Sequence, residues 1–273
     1  MVNALWGMGE MLGFLLVGLL GVALVVNIVD DDDDATESDD QVNGTDENNT
    51  IDTGGGDDTV FAGGGNDLVD TGTGDDRAFG QDGTDLIFGG DGNDFLRGSA
   101  GEDLIFGDEG EDTLFGDSGD DVLFGADIFD SEAIFDIVAN TNFLPSDLNV
   151  FLDINADQGE SDTLNGGVGD DIIVAGSFDV VSTGDGADVV EIGDWVIPDD
   201  PVVVTDFNPA EDVIIYDFEG AVAPSIFFAE DEDTGDAVVE IAITDQENQR
   251  LVTLLGVDFF DGSSDNLIVV SIS

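Results

Sequence analysis

The chain has 273 residues and a formal net charge of −62, from 65 acidic residues against three basic ones. Arg77, Arg97 and Arg250 cannot build a basic patch, so nucleic acid is excluded as a partner and cations are expected instead. With no His, Cys or Lys in the chain, catalytic triads, imidazole and thiolate zinc sites, Schiff-base lysines and disulfides are all excluded.

The first predicted element is a hydrophobic helix over residues 1–29. Met11 to Val29 carries no charge over 19 residues, the length needed to span a bilayer. Trp6 stands near its start, where an interfacial aromatic is common, and Gly9 and Gly13 have a spacing suited to helix pairing. A basic n-region and a small-x-small cleavage site are both lacking. Three readings stay open: a membrane or self-association helix, a cleaved leader, and a buried core helix. Residues 30–52 read as an acidic linker, opened by Asp30 to Asp34, with a decayed repeat at its end. There Ile51 keeps an apolar phase, while Glu47 and Asn49 stand where Gly and Asp would be expected. Degenerate terminal repeats are how solenoids are capped.

From Thr53 to Phe124, within a segment bounded at 53–125, the chain repeats every nine residues, eight times, without a slip. Asp58, Asp67, Asp76, Asp85, Asp94, Asp103, Asp112 and Asp121 mark the period. Two residues earlier stand Gly56, Gly65, Gly74, Gly83, Gly92, Gly101, Gly110 and Gly119, and two earlier again, in four repeats, Gly54, Gly63, Gly72 and Gly90. Two residues after each Asp comes Val60, Val69, Ala78, Ile87, Leu96, Ile105, Leu114 or Leu123. Glycine allows tight turns with positive φ, aspartate offers a carboxylate to a hard cation, and the last three residues form a minimal strand with one inward side chain. Such a unit cannot bury a core alone and must stack on its neighbours.

This G-G-x-G-x-D-x-U-x pattern resembles the RTX (repeats-in-toxin) family of calcium-binding nonapeptides. The resemblance implies an all-β fold, a parallel β-roll or β-helix-like solenoid, with Ca²⁺ held between each turn and the turn one coil further along. Asp58 would then share an ion with the turn of Asp76, and Asp67 with that of Asp85, which gives about six ions or more over the eight turns.

Residues 126–165 interrupt the repeats. Ile128, Phe129, Ala133, Ile134, Ile137 and Val138 recur at helical spacing, which predicts a short helix over 127–140. Asp153, Asn155 and Asp157 begin like an EF-hand loop, but Gln158 and Leu164 replace its Gly and Glu. A second repeat block over 166–194 holds Gly167, Gly169 and Asp171, then Gly184, Gly186 and Asp188. The two aspartates are 17 residues apart, so one half-coil has lost a residue, and the unit from Ala175 to Ser182 is expected to be empty of metal. These glycines and aspartates complete the predicted metal-binding set.

Residues 195–273 read as a C-terminal β-rich capping domain. Val202 to Phe207 and Val213 to Phe218 look like strands paired about a turn at 208–212, and Val238 to Thr244 with Leu251 to Leu255 like a second pair. The Val-Thr-Asp-Phe-Asn-Pro-Ala-Glu-Asp run resembles the region that follows the repeats in serralysin-type and other type I-secreted RTX proteins. Asp265 to Ser273 resembles their uncleaved secretion signal, although a plain final strand would look the same.

The ninth repeat position is Phe in six of eight units. Strand alternation points it away from the core, which predicts a Phe88–Phe106–Phe124 ladder on one sheet and a Phe61–Phe79–Arg97–Phe115 ladder on the other. Such stripes call for cover, from the 127–140 helix, from the C-terminal segment or from another molecule.

No catalytic set is legible, so the chain is not expected to be an enzyme. The reading is a non-catalytic, calcium-binding extracellular or cell-surface protein whose roll folds on Ca²⁺ binding, with secretion machinery as a partner. The alternative is a self-assembling surface-layer, filament or adhesin subunit that uses residues 1–29 or the Phe ladders. A calcium buffer in the matrix around cells is a third.

Overall fold

The computed structural model describes residues 27–28, 38–125, 160–193, 196, 200–218, 225–230, 237–242, 249–255 and 268–272. In chain order the first strands are β1 (Asn27–Ile28), β2 (Gln41–Thr45), β3 (Asn49–Asp52), β4 (Thr59–Gly64) and β5 (Leu68–Asp70). There follow β6 (Arg77–Asp82), β7 (Leu86–Asp91), β8 (Phe95–Ala100), β9 (Leu104–Glu109), β10 (Thr113–Ser118) and β11 (Val122–Phe124). Next come β12 (Thr163–Val168), β13 (Ile172–Val174), β14 (Val180–Asp185), β15 (Val189–Gly193) and β16 (Val202–Val204). The last are β17 (Val213–Phe218), β18 (Ser225–Glu230), β19 (Ala237–Ala242), β20 (Gln249–Leu254) and β21 (Ile268–Ile272).

Successive strands alternate between two sheets up to β17. The odd strands and β21 make a ten-stranded sheet; the even strands to β16, extended by β20, β19 and β18, make one of eleven. Pairing is parallel except along β18–β19–β20, which is antiparallel. Two nonapeptides therefore make one coil, and residues 18 apart lie side by side: Val60 on Ala78, Ala78 on Leu96, Leu96 on Leu114. The opposite sheet stacks Ile51, Val69, Ile87, Ile105 and Leu123 in the same way.

This register follows from the apolar phase. A side-chain period of two puts only the middle residue of each x-U-x strand inside, and a slip of one residue would turn every one of them outward. Leu96, Ile105, Leu114 and Leu123 are completely buried between the sheets, each worth ~1.5–3 kcal/mol relative to exposure.

The described residues correct several expectations. The roll begins before Thr53: the expected decayed repeat is β3, with Ile51 on Val69, and β2, which starts in the expected linker, already pairs with β4. It resumes at Thr163 rather than 166: Leu164, in the would-be EF-hand Glu position, continues the core ladder from Leu114. The strands of 202–204 and 213–218 are not partners of each other. β16 lies on β14 and β17 on β15, on opposite sheets, because the two-sheet alternation persists past the last recognisable repeat. The C-terminal strands open no new sheet: β20 and β21 add in parallel to β16 and β17. The second expected pair does hold, as β19 against β20.

The 127–140 helix and most of the 1–29 helix lie outside the described residues. Asn27 and Ile28 pair as a strand with Asn49 and Thr50, so a helix does not run to Val29. Among the described residues no helix is long and apolar enough to cross a membrane.

The two aromatic ladders differ. Phe88, Phe106 and Phe124 stack at 4.9 and 4.6 Å between centroids and are buried together with Leu86, Leu104 and Val122 beside them, so that outer face is covered. On the other sheet Phe61 stacks on Phe79 at 5.0 Å, but the stack then passes through Phe95 to Phe115 at 5.8 and 5.4 Å. Arg97, expected in the ladder, turns aside to an ion pair with Asp117. These four rings are half-buried.

Candidate metal centre

Each strand ends in a turn that reverses the chain onto the other sheet, and the first residue after the turn's Gly-x pair is the periodic aspartate. The turn backbone must pass close to the turn below it. A Cβ on Gly92, at φ +138°, would come under 3.0 Å from the carbonyl oxygen of Gly74, so the coil spacing admits only glycine there. The same holds for Gly186 on Gly169. Of the sixteen predicted metal-site glycines, all but Gly186 have positive φ.

The aspartates stand in two columns, one on each edge of the roll. On one edge the backbone N–H of Asp58 donates to Asp76 Oδ1 at 2.6 Å, Asp76 to Asp94 at 2.8 Å, Asp94 to Asp112 at 2.8 Å and Asp112 to Asp162 at 2.7 Å. On the other edge Asp67, Asp85, Asp103, Asp121, Asp171 and Asp188 are linked the same way, at 2.8 to 2.9 Å. A second, exposed ladder runs one residue earlier with the opposite polarity: Asp75 N–H donates to Asp57 Oδ1 at 3.2 Å and Asn93 N–H to Asp75 Oδ1 at 3.0 Å. Neighbouring coils are thus stapled in both directions.

The other oxygen of ten of these carboxylates is left over. Oδ2 of Asp58, Asp67, Asp76, Asp85, Asp94, Asp103, Asp112, Asp121, Asp171 and Asp188 is buried without a hydrogen-bond partner. These are the ten aspartates that the spacing singled out. An unpaired buried carboxylate is costly, and the chain responds as expected. Burial first, and then neighbouring carboxylates of the column, raise Asp85, Asp94 and Asp171 to about 7 and Asp103 and Asp112 to about 8, against hydrogen bonds from the backbone that lower them. Asp67, Asp76, Asp121 and Asp188 rise to about 6.

Several of these oxygens face an opening. A Cβ on Gly80, Gly89, Gly116 or Gly166 would fall under 3.0 Å both from Oδ2 of Asp85, Asp94, Asp121 or Asp171 and from a carbonyl oxygen one coil on, that of Gly98, Gly107, Gly166 or Thr183. Among the described residues no three acidic side chains converge on one point; the donors are one carboxylate per turn and backbone carbonyls. Oxygen-only donors of this kind suit a hard cation such as Ca²⁺ and offer nothing to a soft one.

Three features were missed in the sequence. The glycine heading each opening is the first of the motif's Gly-Gly pair, and the metal set took only the second and the one before Asp. Asp162 belongs to the first column and was legible as nine residues before Asp171. Asp179, nine before Asp188, supplies the column aspartate of the unit expected to be empty of metal: the Asp162 N–H donates to its Oδ1 at 2.9 Å. Its Oδ2, unlike the ten, accepts the Gly176 N–H at 2.7 Å. Asp212 ends the other column, with Oδ2 accepting from Asn208 N–H at 2.7 Å and from the Thr183 hydroxyl at 3.2 Å.

The family model of the RTX calcium-binding nonapeptide repeat (4 copies) matches residues 34–69, 63–96, 70–105, 97–127 and 158–179. These segments are RTX calcium-binding nonapeptide repeats. The RTX match begins at residue 34 and spans 158–179, in keeping with β2 and β3 and with the column aspartates Asp162 and Asp179. No curated protein sequence matches the chain. Among solved structures it is similar to the AlgE6R3 subunit of the Azotobacter vinelandii mannuronan C5-epimerase, at 20% identity and a TM-score of 0.31, over 66% of this chain and 78% of that one. It is also similar to the extracellular lipase LipA from Serratia marcescens, at 19% identity and a TM-score of 0.27, over 74% of this chain and 41% of that one. At those TM-scores neither likeness bears on function.

Proposed function

We propose that this is a non-catalytic, secreted calcium-binding protein whose RTX roll folds when calcium binds. The observation that carries the reading is the pair of columns of buried Oδ2 atoms with no partner, facing carbonyl oxygens across glycine-headed openings. Bound calcium would supply the positive charge that these carboxylates and carbonyls otherwise lack. Asp85, Asp94, Asp103, Asp112, Asp121 and Asp171 would hold it, each fixed by the hydrogen bond on its Oδ1. Without a cation, stacked like charges and the entropy of glycine-rich turns oppose the roll. Each coil that forms presents a template for the next. In a low-calcium cytosol the chain would stay unfolded, the state that export through type I secretion machinery requires, and the fold would form outside the cell.

A calcium titration of the full chain, with far-UV dichroism and bound-ion count read together, tests this. A cooperative coil-to-β transition with several ions per chain is expected; a complete β signal in excess chelator would overturn folding on binding. A second reading, a self-assembling surface subunit, draws on the half-exposed Phe61–Phe79–Phe95–Phe115 stack. Size measured by light scattering in calcium decides it: a monomer removes that reading.

A further inference from the structure

The openings are not alike, because the residue that heads the turn differs. Gly80, Gly89, Gly116 and Gly166 leave the space between carboxylate and carbonyl empty of side chain. Thr53 and Thr71 head the turns of Asp58 and Asp76 and carry a Cβ and a hydroxyl into the same place. Thr53 Oγ1 donates to the carbonyl of Thr71 at 3.0 Å, and Thr71 Oγ1 to that of Gly89 at 2.7 Å. Both side chains are buried, at 3% and 0% exposure. The carbonyls that accept these bonds lie one coil on. They are the counterparts of Gly98 O and Gly107 O, which border the glycine-headed openings. β7 and β9 run on through Gly89 and Gly107, whereas β5 stops at Asp70, just before Thr71.

We propose that Thr53 and Thr71 stand in for a cation, so that calcium uptake is confined to the glycine-headed turns. The inference rests on the calcium reading above and says which turns take the ion. In a threonine-headed turn the hydroxyl proton satisfies the carbonyl of the next coil and ties the two coils together. The Thr71 hydroxyl also lies against the Asp76 carboxylate and lowers its pKa against the rise that burial causes, so one side chain fills the place between carboxylate and carbonyl that a glycine-headed turn leaves to a cation. On this edge the first two coils of the repeat block are thereby tied onward by side-chain hydrogen bonds, and the coils after them by metal.

Equilibrium dialysis of the full chain against saturating calcium, with T71G and T71V, tests the assignment. T71G opens the space and is expected to gain about one ion per chain. T71V keeps the volume, loses the hydroxyl, and is expected to bind the wild-type number. Loss of an ion in T71V would make the hydroxyl a ligand and overturn the proposal, as would a T71G chain that gains none. Should T71G fail to fold, the T71V count still decides. No calcium on the unaltered chain would overturn the underlying calcium reading, and this proposal with it; calcium on the unaltered chain with no gain in T71G would overturn this proposal alone.

Discussion

Asp103 accepts the backbone N–H of Asp85, one coil back, on Oδ1 at 2.8 Å and keeps Oδ2 buried with no partner. One side chain thus fixes the coil spacing with one oxygen and offers the other as a ligand.

Asp103→Asn keeps the Oδ1 acceptor and replaces the free oxygen by an amide. The variant is expected to bind about one calcium ion fewer and to lose ~1–3 kcal/mol of stability in calcium, the range for a buried charged hydrogen-bonding group. In chelator near neutral pH it should be at least as stable as the parent, because the amide does not carry the burial cost that raises Asp103 to about 8. Calcium counting and thermal unfolding with and without chelator check this; equal ion counts would show that Asp103 is not a ligand.

Acid should favour the metal-free roll. Asp85, Asp94 and Asp171 are raised to about 7 and Asp103 and Asp112 to about 8, chiefly by burial, from a value of 3.8 when unfolded. Between about pH 4 and pH 8 the folded chain therefore holds more protons than the unfolded one, and its stability falls as pH rises through that window. In chelator the β dichroism is expected to be stronger at about pH 5 than at about pH 8. Calcium needs the ionised carboxylates, so its affinity should run the other way and strengthen with pH.

Gly92 and Gly64 make a matched pair. A Cβ at Gly92 would strike the Gly74 carbonyl at a positive φ, while at Gly64 the nearest heavy atom is 3.6 Å away and φ is ordinary. Gly92→Ala is expected to break the coil stacking, and Gly64→Ala to be nearly neutral, within about 0.5 kcal/mol. Thermal melts in calcium distinguish the two; equal losses would contradict the close approach.

Leu96→Ala removes a side chain that is wholly buried between the sheets. A loss of ~2–5 kcal/mol is expected, as for other large-to-small core changes. Denaturant unfolding in calcium measures it, with Thr59→Ala on the outer face as a control that should change little.

The all-β roll, its nine-residue phase, the aliphatic core and the ten aspartates with a buried, unpartnered Oδ2 were legible in the sequence, because each depends on contacts that recur at a fixed spacing. Val60, Ala78, Leu96 and Leu114 stack because each lies 18 residues from the next. Where spacing breaks, the sequence loses the thread. Asp162 and Asp179 were missed because the 126–165 interruption and an eight-residue half-coil hid their phase, although hydrogen bonds across the coil place both in the column. The placing of Val202–Val204 and Val213–Phe218 on opposite sheets was a tertiary decision, since a hairpin and a half-coil share the same strand–turn–strand pattern. So were the cover over Phe106, the entry of Phe95 into the aromatic stack, and the hydroxyl of Thr71 in an opening that glycine leaves free. Local spacing decides which residues face inward; which atoms are left without a partner depends on the coil above, and only the stacked structure supplies that.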